Sequence, residues 1–144
     1  MADQEIGSFG SHVVWDVSTL HLIPEGLESE YAAPLMCGGA TVWSVLSLYH
    51  VRPTDRVGVI GIGGLGHLAI QFAAKMGCEV VVFSGTESKR QEAIKFGAKE
   101  FYATKGVTKF EGIKKINHLI ITTSFLPDFD LYIPLPFSSS ILGC

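Results

Sequence analysis

The chain has 144 residues, of which 47% are hydrophobic and 17% charged, and its formal net charge is −3 at pH 7. This length allows one domain with a hydrophobic core, and the composition excludes a disordered chain. No basic run stands out, so the charge pattern argues against a nucleic-acid partner. The mean hydropathy of +0.34 is high, which predicts either a very apolar parallel sheet or a surface that contacts a partner.

The cysteines and the N-terminus predict a cytoplasmic protein. Cys37, Cys78 and Cys144 are far apart and form no Cys-x-x-Cys pair, so a reducing compartment is favoured over a disulfide framework. The first ten residues carry acids rather than a basic region before an apolar stretch, which is unlike a signal peptide. No run approaches the roughly 20 apolar residues that a membrane span needs, so no membrane association is expected.

The first half of the chain yields one predicted helix and one predicted strand. Residues 1–36 have no clear period, although Phe9–Trp15 is short and β-like. Apolar residues recur at helical intervals over Pro34–His50, and Arg52-Pro53 closes that predicted helix. Arg56–Ile60 then reads as the first strand.

The second half alternates helices and strands. An apolar stripe predicts an amphipathic helix that Gly77 caps; its members are Leu65, Leu68, Ala69, Phe72, Ala73 and Met76. Glu79–Phe83 is a continuous apolar run, typical of a strand buried on both faces. A helix is predicted over Glu87–Phe96, followed by strands at Glu100–Ala103 and His118–Thr123.

This alternation predicts an α/β fold, a Rossmann-type doubly wound parallel sheet. Past Phe125 the regularity is lost, and the final stretch contains three prolines and several large apolar residues. Because such a sheet normally continues with more strands, we expect it to be truncated at the C-terminus.

A glycine turn joins the first strand to the helix that follows. Gly61, Gly63 and Gly66 form G-x-G-x-x-G, with Gly64 as an additional glycine. The first glycine allows a tight turn, the second lets a pyrophosphate approach the backbone, and the third lets helix and strand pack closely. The amides that open the helix then face the phosphates. The strand and striped helix around it favour a dinucleotide; S-adenosylmethionine or a plain structural turn are the alternatives.

The end of the second strand favours NADP(H) over NAD. NAD sites usually place a carboxylate there for the ribose 2′-hydroxyl, whereas this strand ends at Phe83-Ser84. Ser84, Thr86, Lys89 and Arg90 follow instead, and hydroxyls and cations suit a 2′-phosphate. In the alternative interpretation, both cations are solvated first-turn residues of the next helix, partly offset by a neighbouring glutamate.

With AAPLMCGGATVW at residues 32–43 and GIGGLGHLAIQFAAKMG at residues 61–77, the chain resembles the zinc-dependent medium-chain alcohol dehydrogenases. It is most similar to their NADP-linked, cinnamyl-alcohol-dehydrogenase-like branch. Other segments that match the family are GSFGSHVVWD, SGTESKR and KFGA. The resemblance runs from about residue 7 to about residue 135. It implies reversible hydride transfer between an alcohol or aldehyde and NADP(H), with zinc polarising the oxygen.

The resemblance also implies roles for individual residues. Cys37 matches a catalytic-zinc thiolate, and Thr41 matches a residue beside the nicotinamide. The remaining implied cofactor contacts are Gly61, Gly63, Gly64 and Leu65 at the pyrophosphate, Ser84, Thr86 and Lys89 at the 2′-phosphate, and Thr123 and Ser124 at the nicotinamide ribose.

Departures from the family concern the zinc. A catalytic zinc needs three protein ligands, and neither the family's earlier cysteine nor its Gly-His-Glu motif lies upstream of Cys37. Cys37 is therefore expected to be a buried thiol that holds no zinc by itself. The histidines lack ligand-like spacing and are expected at the surface or in packing; they are His12, His21, His50, His67 and His118.

The predicted domain division is a remnant of the catalytic domain and linker at 1–33, an NADP-binding Rossmann domain at 34–135 and an atypical tail at 136–144. The predicted function is the cofactor-binding part of an NADP-dependent alcohol dehydrogenase that does not turn over alone, with a homodimer left open. The alternatives are a non-catalytic nucleotide-binding or interaction module and a zinc-free quinone-reductase-like enzyme. A methyltransferase is disfavoured because the second strand ends without an acidic residue.

Overall fold

The computed structural model describes residues 10–143, with the backbone alone for residues 137–142. The N-terminal part of the predicted 1–33 segment and Cys144 lie outside the described residues. The helices are α1 (Ser29–Pro34), α2 (Ala40–Leu48), α3 (Gly66–Met76), α4 (Arg90–Phe96) and α5 (Phe129–Tyr132), with a π-helical turn at Leu35–Gly39 between α1 and α2 and 3₁₀ turns at Val17–Thr19 and Glu87–Lys89.

A parallel sheet forms the centre of the molecule and confirms the predicted doubly wound α/β fold. Its strands are β1 (Arg56–Ile60), β2 (Glu79–Ser84), β3 (Glu100–Ala103), β4 (Ile116–Ile121) and β5 (Phe137–Gly143). Their spatial order is β3-β2-β1-β4-β5, and every neighbouring pair is parallel. The first strand, β1, thus lies in the middle of the sheet. The next two strands add to one side of it, and the chain then crosses to the other side of β1 to form β4 and β5.

Two differences from the predicted elements concern the ends of the chain. Residues 10–15 of the predicted β-like stretch form no strand. The tail was expected to lack regular structure, but Phe137–Gly143 pairs with β4 as an edge strand, with Leu119 opposite Ile141. Backbone pairing with β4 therefore extends the sheet beyond the point where the side-chain pattern becomes irregular.

The sheet is covered on both faces, which explains its continuous apolar strands. Along β1 and β2 alternate residues face opposite sides, as the pleat requires. One buried cluster joins α2, α3 and α4 to the sheet and includes Leu46, Ile70, Val59 and Val82. The other face packs on α5 and the β3–β4 connection, and includes Ile60, Val81, Phe83, Ile116, Leu119 and Tyr132.

The sequence predicts no segment long and apolar enough to span a membrane, but the helical run Ser29–Leu48 meets that criterion. It does so by length and composition, with a hydropathy of 1.3. Core helices of globular proteins pass the same test. Only 28% of this apolar window is buried. Val42 and Leu46 are fully buried in the cluster shared with α3 and the sheet, whereas Met36, Trp43 and Leu48 are exposed.

A charged cluster holds the amino ends of the first three strands together. Arg56 begins β1 with a side chain only 6% exposed, and it forms ion pairs with Glu79 of β2 and Glu100 of β3. Tyr102 donates its hydroxyl to Glu100 at 2.7 Å, and the Arg56 amide donates to Asn117 of β4 at 2.8 Å. One buried guanidinium thus links three strands in a fixed register.

This cluster alters the acid–base behaviour of Glu100. Burial opposes its ionisation, but the hydrogen bonds from Tyr102 and Arg56 and the positive charge of Arg56 outweigh burial and lower the pKa of Glu100 below its ordinary 4.5. A carboxyl group with a lowered folded-state pKa stabilises the fold above its unfolded-state pKa. That stabilisation is lost as the pH falls through the folded-state pKa.

Replacing Glu100 with Gln is expected to lower the free energy of unfolding by about 1–2 kcal/mol at pH 7, because the buried Arg56 loses a charged partner. The difference between parent and variant should shrink as the pH falls below 4.5, where the parent carboxylate also becomes protonated. Urea unfolding at several pH values measures this, with the exposed Glu111→Gln as a control. A difference that stays constant with pH would contradict the assignment.

Candidate functional site

The candidate site lies at the carboxyl ends of the strands, where the strand order reverses. β1 is followed in the chain by β2 on one side, whereas its other neighbour is β4. The connections after β1 and β4 therefore leave the sheet edge in opposite directions and open a crevice between them. In open α/β sheets this is the place where ligands bind.

Gly61 and Gly66 make the turn from β1 into α3 possible. Gly61 has φ of 99°, a left-handed conformation that other residues rarely adopt. A Cβ on Gly66 would lie 2.2 Å from the Gly61 carbonyl oxygen, so any side chain there would collide with the backbone. These glycines are required by the fold itself, because they let α3 start directly against the end of β1.

Gly63 and Gly64 serve a different purpose. A Cβ on either would meet no atom within 4 Å, so the fold does not need glycine there for space. The His67 amide donates to the Gly63 carbonyl at 3.1 Å, so α3 begins its first turn immediately beyond. The first amides of a helix lack intrahelical partners. The open space above them fits a pyrophosphate, which a side chain would obstruct.

Thr122 and Thr123 follow β4 and border this turn. Thr123 comes within 3.0 Å of a Cβ built on Gly61, and its hydroxyl donates to the Phe125 carbonyl at 2.7 Å. The structure thus brings Thr123 to the glycine turn, whereas Ser124 is exposed. Sequence reasoning missed Thr122, whose hydroxyl donates to the Ile60 carbonyl at 2.8 Å and ties β4 to the end of β1.

A cavity of about 260 Å³ extends from the glycine turn across the tip of β2. It combines hydroxyl groups with apolar walls, which suits a nucleoside. Part of its wall comes from residues 125–132, for which the sequence predicted no role. The lining residues are Ile60, Gly61, Phe83, Ser84, Gly85, Thr104, Val107, Thr123, Phe125, Pro127, Asp128, Leu131 and Tyr132.

The predicted 2′-phosphate residues cluster beyond the tip of β2. Ser84 ends the strand and lines the cavity, while the Thr86 hydroxyl lies 3.1 Å from that of Ser88. Both cations are paired with carboxylates: Lys89 with Glu92 at 2.7 Å, and Arg90 with Glu87. Exposed pairs of this kind contribute little to stability, so they do not prevent these cations from contacting a phosphate.

Cys37 differs from its predicted environment. It was expected to be a buried thiol, but it is exposed within the π-helical turn. The reason is that the neighbouring Gly38 faces α3, where a Cβ would lie 3.4 Å from Leu68 and 3.5 Å from Leu65. The turn thus packs beside the glycine motif, with half-buried Thr41 in the first turn of α2.

The described residues do not fit a catalytic zinc. Residues 10–143 contain no group of three or more His, Cys, Asp or Glu side chains that could hold a metal ion, whereas such a zinc needs three protein ligands. Cys37 supplies one thiolate at most.

Comparison with known proteins places these features in one group. Residues 64–123 match the family of zinc-binding dehydrogenases. The chain is 37% identical over 130 residues to "Probable formaldehyde dehydrogenase AdhA" of Bacillus subtilis, covering 90% of this chain and 37% of that protein. It is 39% identical over 132 residues to "Probable cinnamyl alcohol dehydrogenase 1" of Oryza sativa subsp. japonica, with the same two coverages.

Solved structures show the same relationship. CAD from Helicobacter pylori complexed with NADP(H) aligns with a TM-score of 0.68 and 32% identity, covering 82% of this chain and 34% of that one. Acetophenone reductase from Geotrichum candidum in complex with NAD aligns with a TM-score of 0.75 and 27% identity, covering 88% and 38%. The chain spans little more than a third of the length of these relatives.

Two glycine variants separate the cofactor role from the folding role. Gly63→Asp should leave the free energy of unfolding nearly unchanged, because the position is open, but abolish NADPH binding through steric and charge conflict with the pyrophosphate. Gly66→Ala should destabilise the fold by about 1–3 kcal/mol, because its methyl group collides with the Gly61 carbonyl. Urea unfolding and calorimetric titration measure both effects. If Gly63→Asp bound NADPH as well as the parent, the pyrophosphate assignment would be wrong.

Proposed function

We propose that this chain binds NADP(H) for hydride transfer between an alcohol and an aldehyde. The chain belongs to the zinc-type medium-chain dehydrogenases. It corresponds to the cofactor-domain portion of their NADP-linked, cinnamyl-alcohol-dehydrogenase-like members. The observation that carries the proposal is the open glycine turn at the switch point of the sheet, where Gly63 and Gly64 face free space. Several relatives are named as NADP-dependent alcohol dehydrogenases.

Three groups of residues contact three parts of the cofactor in this proposal. The amides that follow Gly63 hold the pyrophosphate at the start of α3, and Ser84, Thr86 and Lys89 hold the 2′-phosphate beyond β2. Thr41 and Thr123 border the nicotinamide half, and Ser124 extends that contact. When bound, the nicotinamide accepts or donates the hydride. The chain's own contribution is to fix the dinucleotide across the sheet edge.

The substrate half of the reaction lies beyond the residues described here. Cys37 lies in the turn that packs beside the glycine motif, and its single thiolate would need ligands outside residues 10–143 to hold a zinc. We propose that residues 1–33 belong to the neighbouring catalytic domain and that the cofactor domain begins near residue 34. We also propose that the domain runs past the predicted limit at 135, since β5 is part of the sheet. A cytoplasmic location, suggested by the isolated cysteines, and a homodimer are further proposals.

Calorimetric titration of the purified chain with NADPH and NADH tests the proposal directly, with bound zinc assayed on the same sample. The proposal predicts binding of one molecule per chain, tighter for NADPH, without stoichiometric zinc. Circular dichroism first establishes that the sample is folded. A folded sample that binds neither nucleotide would refute the proposal.

Lys89→Glu tests the cofactor preference. The variant places a negative charge against the 2′-phosphate, so NADPH affinity should fall by about tenfold or more, whereas NADH affinity should change little. Lys95→Glu makes the same charge change at an exposed position in the last turn of α4 and serves as the control. Equal losses for NADPH and NADH in Lys89→Glu would contradict the assignment of Lys89 to the 2′-phosphate.

A further inference from the structure

Glu87 and Arg90 form an ion pair and are next to Thr86 and Lys89, two of the predicted 2′-phosphate residues, in the chain. Arg90 donates from Nε and from Nη2 to the two carboxylate oxygens of Glu87, the second contact at 3.2 Å. Such two-point pairing fixes the planar guanidinium in one orientation. The hydrogen bond from Arg90, together with its charge, lowers the pKa of Glu87, and the same contact raises the pKa of Arg90.

A second contact holds Arg90 in place. Its guanidinium carbon lies 4.9 Å from the centroid of the Phe101 ring, a cation–π geometry. Phe101 is buried in β3. Arg90 is thus held between a carboxylate and a buried ring, while the side chains of the ion pair stay 46% and 62% exposed. Both partners of the ion pair therefore lie at the surface and are accessible to a ligand.

The position of Glu87 gives this pair a consequence for cofactor choice. It stands three residues beyond Ser84, the last residue of β2. A carboxylate near this strand end accepts from the ribose 2′-hydroxyl of NAD, and a 2′-phosphate is repelled by it. A free Glu87 carboxylate at this position would oppose a 2′-phosphate, and pairing with Arg90 would offset its charge.

We infer that the Glu87–Arg90 ion pair sets the NADPH-to-NADH preference of this site, with Glu87 acting against the 2′-phosphate and Arg90 acting to neutralise Glu87. This inference rests on the proposed function, because it needs a nicotinamide dinucleotide in the site. It assigns Glu87 a role that opposes the surrounding cations. It also makes Arg90 a positioning residue that acts on the phosphate chiefly through Glu87.

Opposite shifts are expected from the two single variants. Glu87→Gln removes the opposing charge and releases Arg90, so NADPH affinity should rise about three- to tenfold relative to NADH. Arg90→Gln leaves Glu87 uncompensated, so the preference should shift toward NADH by a similar factor. The double variant removes both charges and should return close to the parent preference, because the two effects cancel.

Calorimetric titration with NADPH and with NADH measures the affinity ratio for the parent, both single variants and the double variant. Glu25→Gln is the matched control, since it removes one exposed negative charge in the turn before α1. Its ratio should equal that of the parent. Repeating the titrations at higher salt should shrink the shifts, because screening weakens interactions between exposed charges.

The outcomes separate this inference from the proposed function. If the parent binds NADPH but both single variants keep its affinity ratio, the ion pair has no part in cofactor choice and the inference fails alone. Shifts of the same sign in both single variants, or equal changes for NADPH and NADH, would also overturn it. If no variant binds either nucleotide from a folded sample, the proposed function fails and the inference fails with it.

Discussion

The architecture depends on the close contact between the start of α3 and the end of β1. A Cβ on Gly66 would lie only 2.2 Å from the Gly61 carbonyl oxygen, so helix and strand approach as closely as their backbones permit. This contact directs α3 across the sheet face, where Ala69, Ile70 and Ala73 are fully buried. It also aims the first amides of the helix over the carboxyl ends of the strands, where we propose that the pyrophosphate binds.

The amino ends of the strands carry a stabilising charged cluster, whereas the candidate site lies at their carboxyl ends. At the amino edge, Arg56 joins Glu79 and Glu100 and holds the first three strands in register. The carboxyl ends of the strands are instead surrounded by glycines, threonines and exposed ion pairs. An edge that receives a large, charged dinucleotide needs free backbone and exchangeable contacts. The rigid ionic cluster lies at the other edge, where no such ligand has to enter.

Much of the fold follows from local patterns in the sequence. The stripe from Leu65 to Met76 predicts α3, and Gly77 and Gly97 end their helices with φ of 101° and 111°. The end of the chain was harder to predict, because β5 reads FSSSILG and lacks the apolar run of a buried strand. Its place comes from backbone pairing with β4, which no local pattern contains.

The same distinction applies to the site. The glycine spacing predicts the turn, but the hydrogen bond from Thr122 to the Ile60 carbonyl joins residues 62 positions apart and leaves no local signal. Exposure of Cys37 depends on how the π-helical turn meets α3, which the motif around it does not reveal. The pairing of Arg90 with Glu87 did have a signal, since residues three apart on a helix are neighbours. That spacing indicates that cations near a phosphate site can already have partners.

We propose that the turn after β1 holds the pyrophosphate of a dinucleotide. The most direct measurement is the change in backbone amide resonances of the ¹⁵N-labelled chain as NADPH is added. We expect the largest shifts at residues 61–67 and 84–90, with little change around Arg56 and Asn117 at the opposite edge. Shifts confined to that opposite edge, or none at the glycine turn while NADPH is bound, would contradict it.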